Sequence, residues 1–317
     1  MHNRLCDVPL ASSGIQPGGH VGNEPPVTLM QDLAALGVVP ISARWQALRG
    51  GRTNALWVVA CAKASLVVKL YAPEAATPLF ANEPGSEAQV LNALAGSGLA
   101  PNCVFHGNTR AGPVLVYDHQ SGSPWRRDPA AAAVILRMLH RLPVPSDLQC
   151  LNRAPDGFQA LKDQTRAILA QIPAHERLAL LSIEPDITVP PNDYKRLLHG
   201  DPVPDNIVWR GDAGARSLTR IDWQCPALGD PILDLALFLS PAMQIVTRGA
   251  PLSETERQQF LTAYEDAQAV SRLTAMQPVF HWRMAAYCLW KLTRTTPDQS
   301  YKAAMEAEIS ALGRIAA

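Results

Sequence analysis

The run His199-Gly200-Asp201-Pro202-Val203-Pro204-Asp205-Asn206 sets an acid and an amide five positions apart, and Ile221-Asp222-Trp223 adds a second acid further on. Such a set suits phosphoryl transfer. One carboxylate orients and deprotonates an attacking hydroxyl, while an amide oxygen and another carboxylate hold the magnesium that neutralises the phosphates. Pro202 and Pro204 bar a helix between Asp201 and Asn206 and force an extended loop. Asn206 to Arg210 reads as a short strand and Gly211 to Gly214 as a turn whose residues tolerate positive φ. Arg216 to Asp222 then returns as a strand, bringing Asp222 beside Asn206. A surface loop that happens to hold acids is the plain alternative, but the complete set with its intervening hairpin is uncommon by chance.

Elements further upstream have to present a nucleotide to these groups. Trp45 to Leu48, the Arg49-Gly50-Gly51-Arg52 turn and Ala55 to Cys61 read as strand, glycine turn, strand. Gly50 and Gly51 would let backbone N–H groups approach phosphates, although many Gly-Gly turns are only hairpins. Ala64 to Tyr71 is a β-rich run with Lys69 inside it. A lysine in a buried strand is costly unless paired; the ordinary alternative is the solvent face of an edge strand. Pro84 to Ala95 is helical by pattern, with Glu87, Val90, Leu91 and Leu94 on one face. Glu87 is therefore aimed inward, where a carboxylate needs a cation, and a Lys69–Glu87 pair is expected, with Glu83 as its rival. Cys103 to His106 and Pro113 to Tyr117 read as further strands.

The spacing His-x-Asp-x-x-x-x-Asn, followed by an Asp after a short hairpin, is that of the protein-kinase catalytic loop, with Gly200 where protein kinases usually carry Arg. Leu198 to Trp209, Ile221 to Ala236 and Ser86 to Pro101 resemble the aminoglycoside phosphotransferase and choline kinase family. The resemblance implies an α+β, two-lobed protein-kinase-like fold. Residues 28–117 would form an antiparallel-sheet N-lobe with one helix, 118–121 the hinge and 122–317 a mostly helical C-lobe, after a loose leader over 1–27. It also implies ATP and magnesium, Asp201 as catalytic base, Asn206 and Asp222 as metal ligands and His199 as a structural residue of the loop. Asp234 would either brace that loop from below or simply be a carboxylate at a helix N-terminus. Lys69, in the kinase order after the glycine turn, would hold the α- and β-phosphates, and Glu87 stands at the family's lysine-pairing position. The backbone of Val116, Tyr117, Asp118 and His119 would lie near the adenine.

Composition narrows the partners. The chain has 317 residues, 47% hydrophobic and 18% charged, with zero formal net charge. That length suits two lobes better than one small core. Nothing basic is in excess to drive nucleic-acid or membrane-surface binding. Six scattered cysteines without metal-type spacing read as thiols of a reduced, cytoplasmic protein. The apolar stretch from Ile232 to Val246 is interrupted by Asp234 and Pro241 and does not read as membrane-spanning. Helices are expected over 29–36, 130–142, 158–171, 175–181, 234–239, 253–267, 281–292 and 300–315, with a Ser253-x-x-Glu256 capping box.

The expected acceptor is a small-molecule hydroxyl of the amino-alcohol, vitamin or sugar class. A resistance enzyme acting on aminoglycosides, or a nucleotide-binding regulatory module without turnover, are the alternatives. Protein-kinase activity ranks last, because Gly229-Asp-Pro follows Asp222 too soon for an activation loop. Trp282, Tyr287 and Trp290 would face a cationic acceptor or, more ordinarily, fill the core. Glu254, Glu256, Glu265 and Asp266 would attract an amino sugar or form an ordinary solvated face. His140 reads as a capping or core residue.

Overall fold

The computed structural model describes residues 24–48, 53–61, 64–211, 214, 218–294 and 296–316. Gly50 and Gly51 lie outside the described residues. The N-lobe sheet consists of β1 (Arg44–Ala47), β2 (Ala55–Ala60), β3 (Ser65–Leu70), β4 (Cys103–Thr109) and β5 (Gly112–Asp118). Its order is β1-β2-β3-β5-β4, with every neighbouring pair antiparallel.

Alternation along β3 and β5 sorts their side chains to opposite faces. Val68, Val114 and Val116 pack with Trp57 against Leu29 and Leu33 of α1 (Val27–Ala35). Val67, Leu115 and Tyr117 pack with Val90 and Leu91 of α2 (Pro84–Ala93). The sheet is thus covered on both faces, by two helices where one had been expected, because β2, β3 and β5 are apolar at nearly every position. Lys69 shares its face with Val67, and that face is the one α2 covers.

The C-lobe opens with β6 (Ser123–Pro124), which pairs with β8 (Ile207–Trp209), itself paired with β9 (Leu218–Arg220). β7 (Arg196–Leu198) pairs with β10 (Ala227–Gly229). Around these short strands pack α3 (Pro129–Arg141), α4 (Gly157–Ala170), α5 (Ala174–Leu181), α6 (Ile232–Leu239), α7 (Pro241–Arg248), α8 (Glu254–Tyr264), α9 (Ala267–Leu292) and α10 (Ser300–Ala316). No helix of the described residues is long and apolar enough to cross a membrane.

Two helices depart from their sequence reading, both at a proline. The helix expected from His281 begins at Ala267, where the Asp266 side chain caps Ala269 N–H, and runs through Pro278. Pro241, read as an interruption, starts α7, whose N-cap Ser240 accepts from Met243 N–H. A proline at the first helical position has no N–H to lose. The Ser253–Glu256 capping box is formed, and α8 stops at Tyr264 because Glu265 takes a left-handed φ of 52°.

Candidate active site

Two short hairpin arms bring the acids together. β8 and β9 pair Ile207 with Arg220, and Ile221 N–H donates to Asn206 O at 3.0 Å, so the residue preceding Asp222 is bonded to Asn206. Asp222 itself sits at φ 62°, a left-handed conformation that Asp tolerates better than most residues. On the loop, Asn206 Nδ2 donates to both Asp201 O (2.9 Å) and Asp201 Oδ2 (3.1 Å). The amide nitrogen is thereby spent on Asp201, which turns Asn206 Oδ1 the other way.

The loop is held from behind by buried groups. His199 Nε2 donates to Ile221 O at 3.0 Å and Nδ1 accepts from Asp201 N–H at 3.2 Å. A carbonyl can only accept and an N–H can only donate, so these two bonds specify one neutral tautomer. Burial, helped by the nearby Arg220 cation, pushes the His199 pKa down to about 4. Asp234, in the first turn of α6, accepts from His199 N–H at 2.8 Å and Gly200 N–H at 3.0 Å and meets His140 Nε2 at 3.1 Å. It stands under the loop and at a helix N-terminus at once. Burial alone would raise its pKa, but the His140 contact and the loop N–H groups hold it below the ordinary carboxylate value. His140 is completed by Tyr264 Oη at 2.8 Å.

From the N-lobe, Lys69 Nζ reaches Glu87 Oε2 at 2.7 Å and Asp222 Oδ1 at 2.5 Å. Glu87 also accepts from Tyr71 Oη and, at 3.1 Å, from Trp223 N–H. Burial opposes the Lys69 charge, but Asp222 and Glu87 outweigh it and hold the ammonium above its ordinary pKa. Glu83, the rival carboxylate, is the N-cap residue of α2, and its N–H donates to Gln224 O. Tyr71 was legible, since i and i+2 share a strand face with Lys69. The Trp223 N–H was not, because it depends on where β9 ends in space.

The remaining expected residues fall differently. Val116 and Tyr117 are central-strand residues paired to both β3 and β4. Asp118 N–H is bonded to Asn102 O and His119 N–H to Ser65 O. These two N–H groups are already committed to neighbouring backbone, so an approach of this segment to a base would rest on its other backbone groups; the chain crosses to β6 through Gln120–Gly122. Trp282 is fully buried with Nε1 on Leu180 O, and Tyr287 is buried and stacked on Trp290. Glu254, Glu256 and Glu265 pair with Arg257, Arg248 and Arg137, and Asp266 caps α9. Cys61, Cys103, Cys150, Cys225 and Cys288 are free thiols.

The donor chemistry fits magnesium, which prefers hard oxygens and takes one or two protein ligands with water and phosphate completing its shell. The amide oxygen of Asn206 and the carboxylate of Asp222 would be those ligands. Among the described residues no group of three or more His, Cys, Asp or Glu forms a metal cage.

Two outcomes follow from the buried groups. Glu87→Ala leaves Lys69 with Asp222 alone and strips Trp223 N–H and Tyr71 Oη of their acceptor. Breaking a buried pair this way costs about 3–5 kcal/mol. A lower unfolding midpoint and weaker ATP binding by calorimetry are expected; unchanged nucleotide affinity in a folded variant would exclude a role for the pair in holding nucleotide. For His199, the folded pKa lies below the unfolded value of about 6.5, so the unfolded chain takes up the proton first. Its contribution is whole above that pH and is lost as pH falls towards about 4, by about 3 kcal/mol. Urea unfolding at pH 7.5, 5.5 and 4.5 should show a shallower acid decline for His199→Gln than for the unaltered chain; identical slopes would exclude His199 as the source.

Comparison with known proteins places these features among relatives. The model of the phosphotransferase enzyme family matches residues 44–276. No curated protein matches the sequence significantly. A choline/ethanolamine kinase family protein from Mesorhizobium loti superposes with a TM-score of 0.60 at 17% identity, covering 90% of this chain and 93% of that one. Ethanolamine kinase from Plasmodium vivax gives 0.61 at 14%, covering 90% and 87%. An aminoglycoside-3'-phosphotransferase of type VIII gives 0.54 at 22%, covering 80% and 98%. At these identities the likeness establishes the kinase-like fold and nothing finer.

Proposed function

Because this chain belongs to the phosphotransferase enzyme family, we propose that it transfers the γ-phosphoryl group of ATP, with magnesium, to a hydroxyl of a small molecule. The observation that carries this reading is the joining of two sets. Asp201 is braced by Asn206 on the loop, and Lys69 spans Glu87 and Asp222 across the lobes. Those are the parts phosphoryl transfer requires: a base, two oxygen ligands and a buried cation for phosphate.

Asp201 orients the acceptor hydroxyl and takes its proton. Lys69 exchanges its bond to Asp222 for phosphate oxygens while Glu87 keeps it in place. Magnesium, when bound at Asn206 and Asp222 with the nucleotide, neutralises phosphate charge. His199 and Asp234 hold the loop so that Asp201 need not reorganise during the reaction.

The acceptor class we propose is an amino alcohol, vitamin or sugar. The choline/ethanolamine kinase family protein and ethanolamine kinase among the neighbours support the first of these. The late-helix acids are engaged in caps and ion pairs, which lends no support to a dense acidic cleft for an aminoglycoside. Free thiols at the described cysteines suit a reduced, cytoplasmic setting. ATP consumption across a panel of amino alcohols, vitamins, sugars and aminoglycosides tests the reading. Acceptor-dependent turnover is expected; nucleotide binding without turnover on the whole panel would favour a regulatory module instead.

A further inference from the structure

Behind the Lys69–Glu87–Asp222 cluster lies a buried cluster of three amides. Asn54, Asn82 and Gln224 are 3%, 8% and 3% exposed. Asn54 Nδ2 donates to Asn82 Oδ1 and to Gln224 Oε1, each at 2.8 Å. Asn54 Oδ1 accepts from Ala72 N–H and from Asn82 Nδ2, each at 3.0 Å. Asn82 Nδ2 also donates to Ala72 O at 2.8 Å, and Glu83 N–H to Gln224 O at 3.3 Å.

A primary amide has two N–H bonds and room for two hydrogen bonds at its oxygen. Asn54 uses all four. No other side chain of that size can do so: aspartate lacks both donors, and leucine would leave every partner buried and unmet. A saturated polar network fixes one relative placement of the segments it joins, because any slip leaves a group unsatisfied in a low-dielectric site. The segments joined here are distinct. Asn54 immediately precedes β2, Ala72 and Asn82 bound the stretch between β3 and α2, and Gln224 is two residues past Asp222. Cys225 Sγ, donating to Ala81 O at 3.1 Å, repeats the same tie one residue on.

The geometry points to Asn54, Asn82 and Gln224 as positioning residues for phosphoryl transfer, which hold the start of β2 at a fixed offset from the segment of Asp222. This rests on the phosphotransferase reading above. Nucleotide phosphates seated on the N-lobe would then meet Asp222 at a distance set by amides that carry no charge and do not titrate.

The consequence is specific to the metal. The network affects how well one magnesium ion joins phosphate to Asp222, not how the N-lobe alone binds a nucleotide. ADP titrated by calorimetry into the full chain, with and without Mg²⁺, reads both. For Gln224→Met, which removes the acceptor and keeps the shape, the Mg²⁺-dependent gain in ADP affinity should fall about tenfold while metal-free affinity stays within about twofold. Asn54→Asp should behave likewise, and Asn82→Ala more weakly, since the Asn54–Gln224 bond remains.

A folded Gln224→Met that keeps the full Mg²⁺ gain overturns the inference. So does an equal loss with and without metal, the mark of a merely structural role. Should Asn54→Asp not fold, Gln224→Met alone decides. If the unaltered chain binds no ADP in either condition, the phosphotransferase reading itself fails and this inference with it, an outcome visible before any variant is made.

Discussion

Asp201→Asn is expected to lower turnover by about 10²–10⁴-fold, the range for loss of a positioned general base. The substitution is close to isosteric, and its surroundings retain the shape. The N–H of residue 201 still donates to His199 Nδ1, and Asn206 Nδ2 still finds a side-chain oxygen to bond. What disappears is the ability to accept a proton. The defect should therefore fall on kcat, with kcat/KM reduced in parallel and ADP affinity essentially unchanged. Steady-state assay against whichever acceptor the unaltered chain uses, paired with ADP titration, measures both. A variant that turns over within a factor of about ten of the unaltered enzyme would remove Asp201 from the base role.

Gly200→Ala should damage the protein as severely from the side of stability. Gly200 sits at φ 80°, and an added Cβ would come within 1.9 Å of Cys225 O, a backbone atom that cannot rotate away. Left-handed strain and overpacking together predict a loss of about 2–5 kcal/mol. Relief would require the loop to lift from Asp234, which gives up the Gly200 N–H bond and misplaces Asp201. Gly211→Ala is the matched comparison, because Gly211 has φ 99° and its Cβ would meet nothing within 4 Å. Urea unfolding of the two variants should separate by the clash alone; equal midpoints would show that the loop accommodates a side chain at 200. The same contact explains why this chain cannot carry Arg at a position where protein kinases usually do.

The gathering of these side chains was legible in local spacing because they lie on short connected segments. Asp201 and Asn206 share a loop with two prolines, and Asp222 stands two residues past β9, which pairs with the strand before it. Lys69 and Glu87 were readable for a related reason. A lone cation in an apolar strand and a lone acid on an apolar helix face each need a partner, and few candidates exist. Prolines were where that reasoning failed. At Pro241 and Pro278 the local rule says that a helix ends, yet a cap and tertiary packing sustain helices there.

By itself, then, the sequence determined which side chains carry charge into the interior and which elements bear them, since hydrophobic periodicity and turn chemistry act over a few residues. The tertiary structure alone decided what meets those side chains from distant parts of the chain. Trp223 N–H on Glu87, Asp234 beneath Gly200 with His140 behind it, and the amide linkage of residues 54, 82 and 224 belong to that group. A hydrogen bond is set by angles and tenths of an ångström between segments up to 170 positions apart, and no local pattern encodes a distance between elements until they pack.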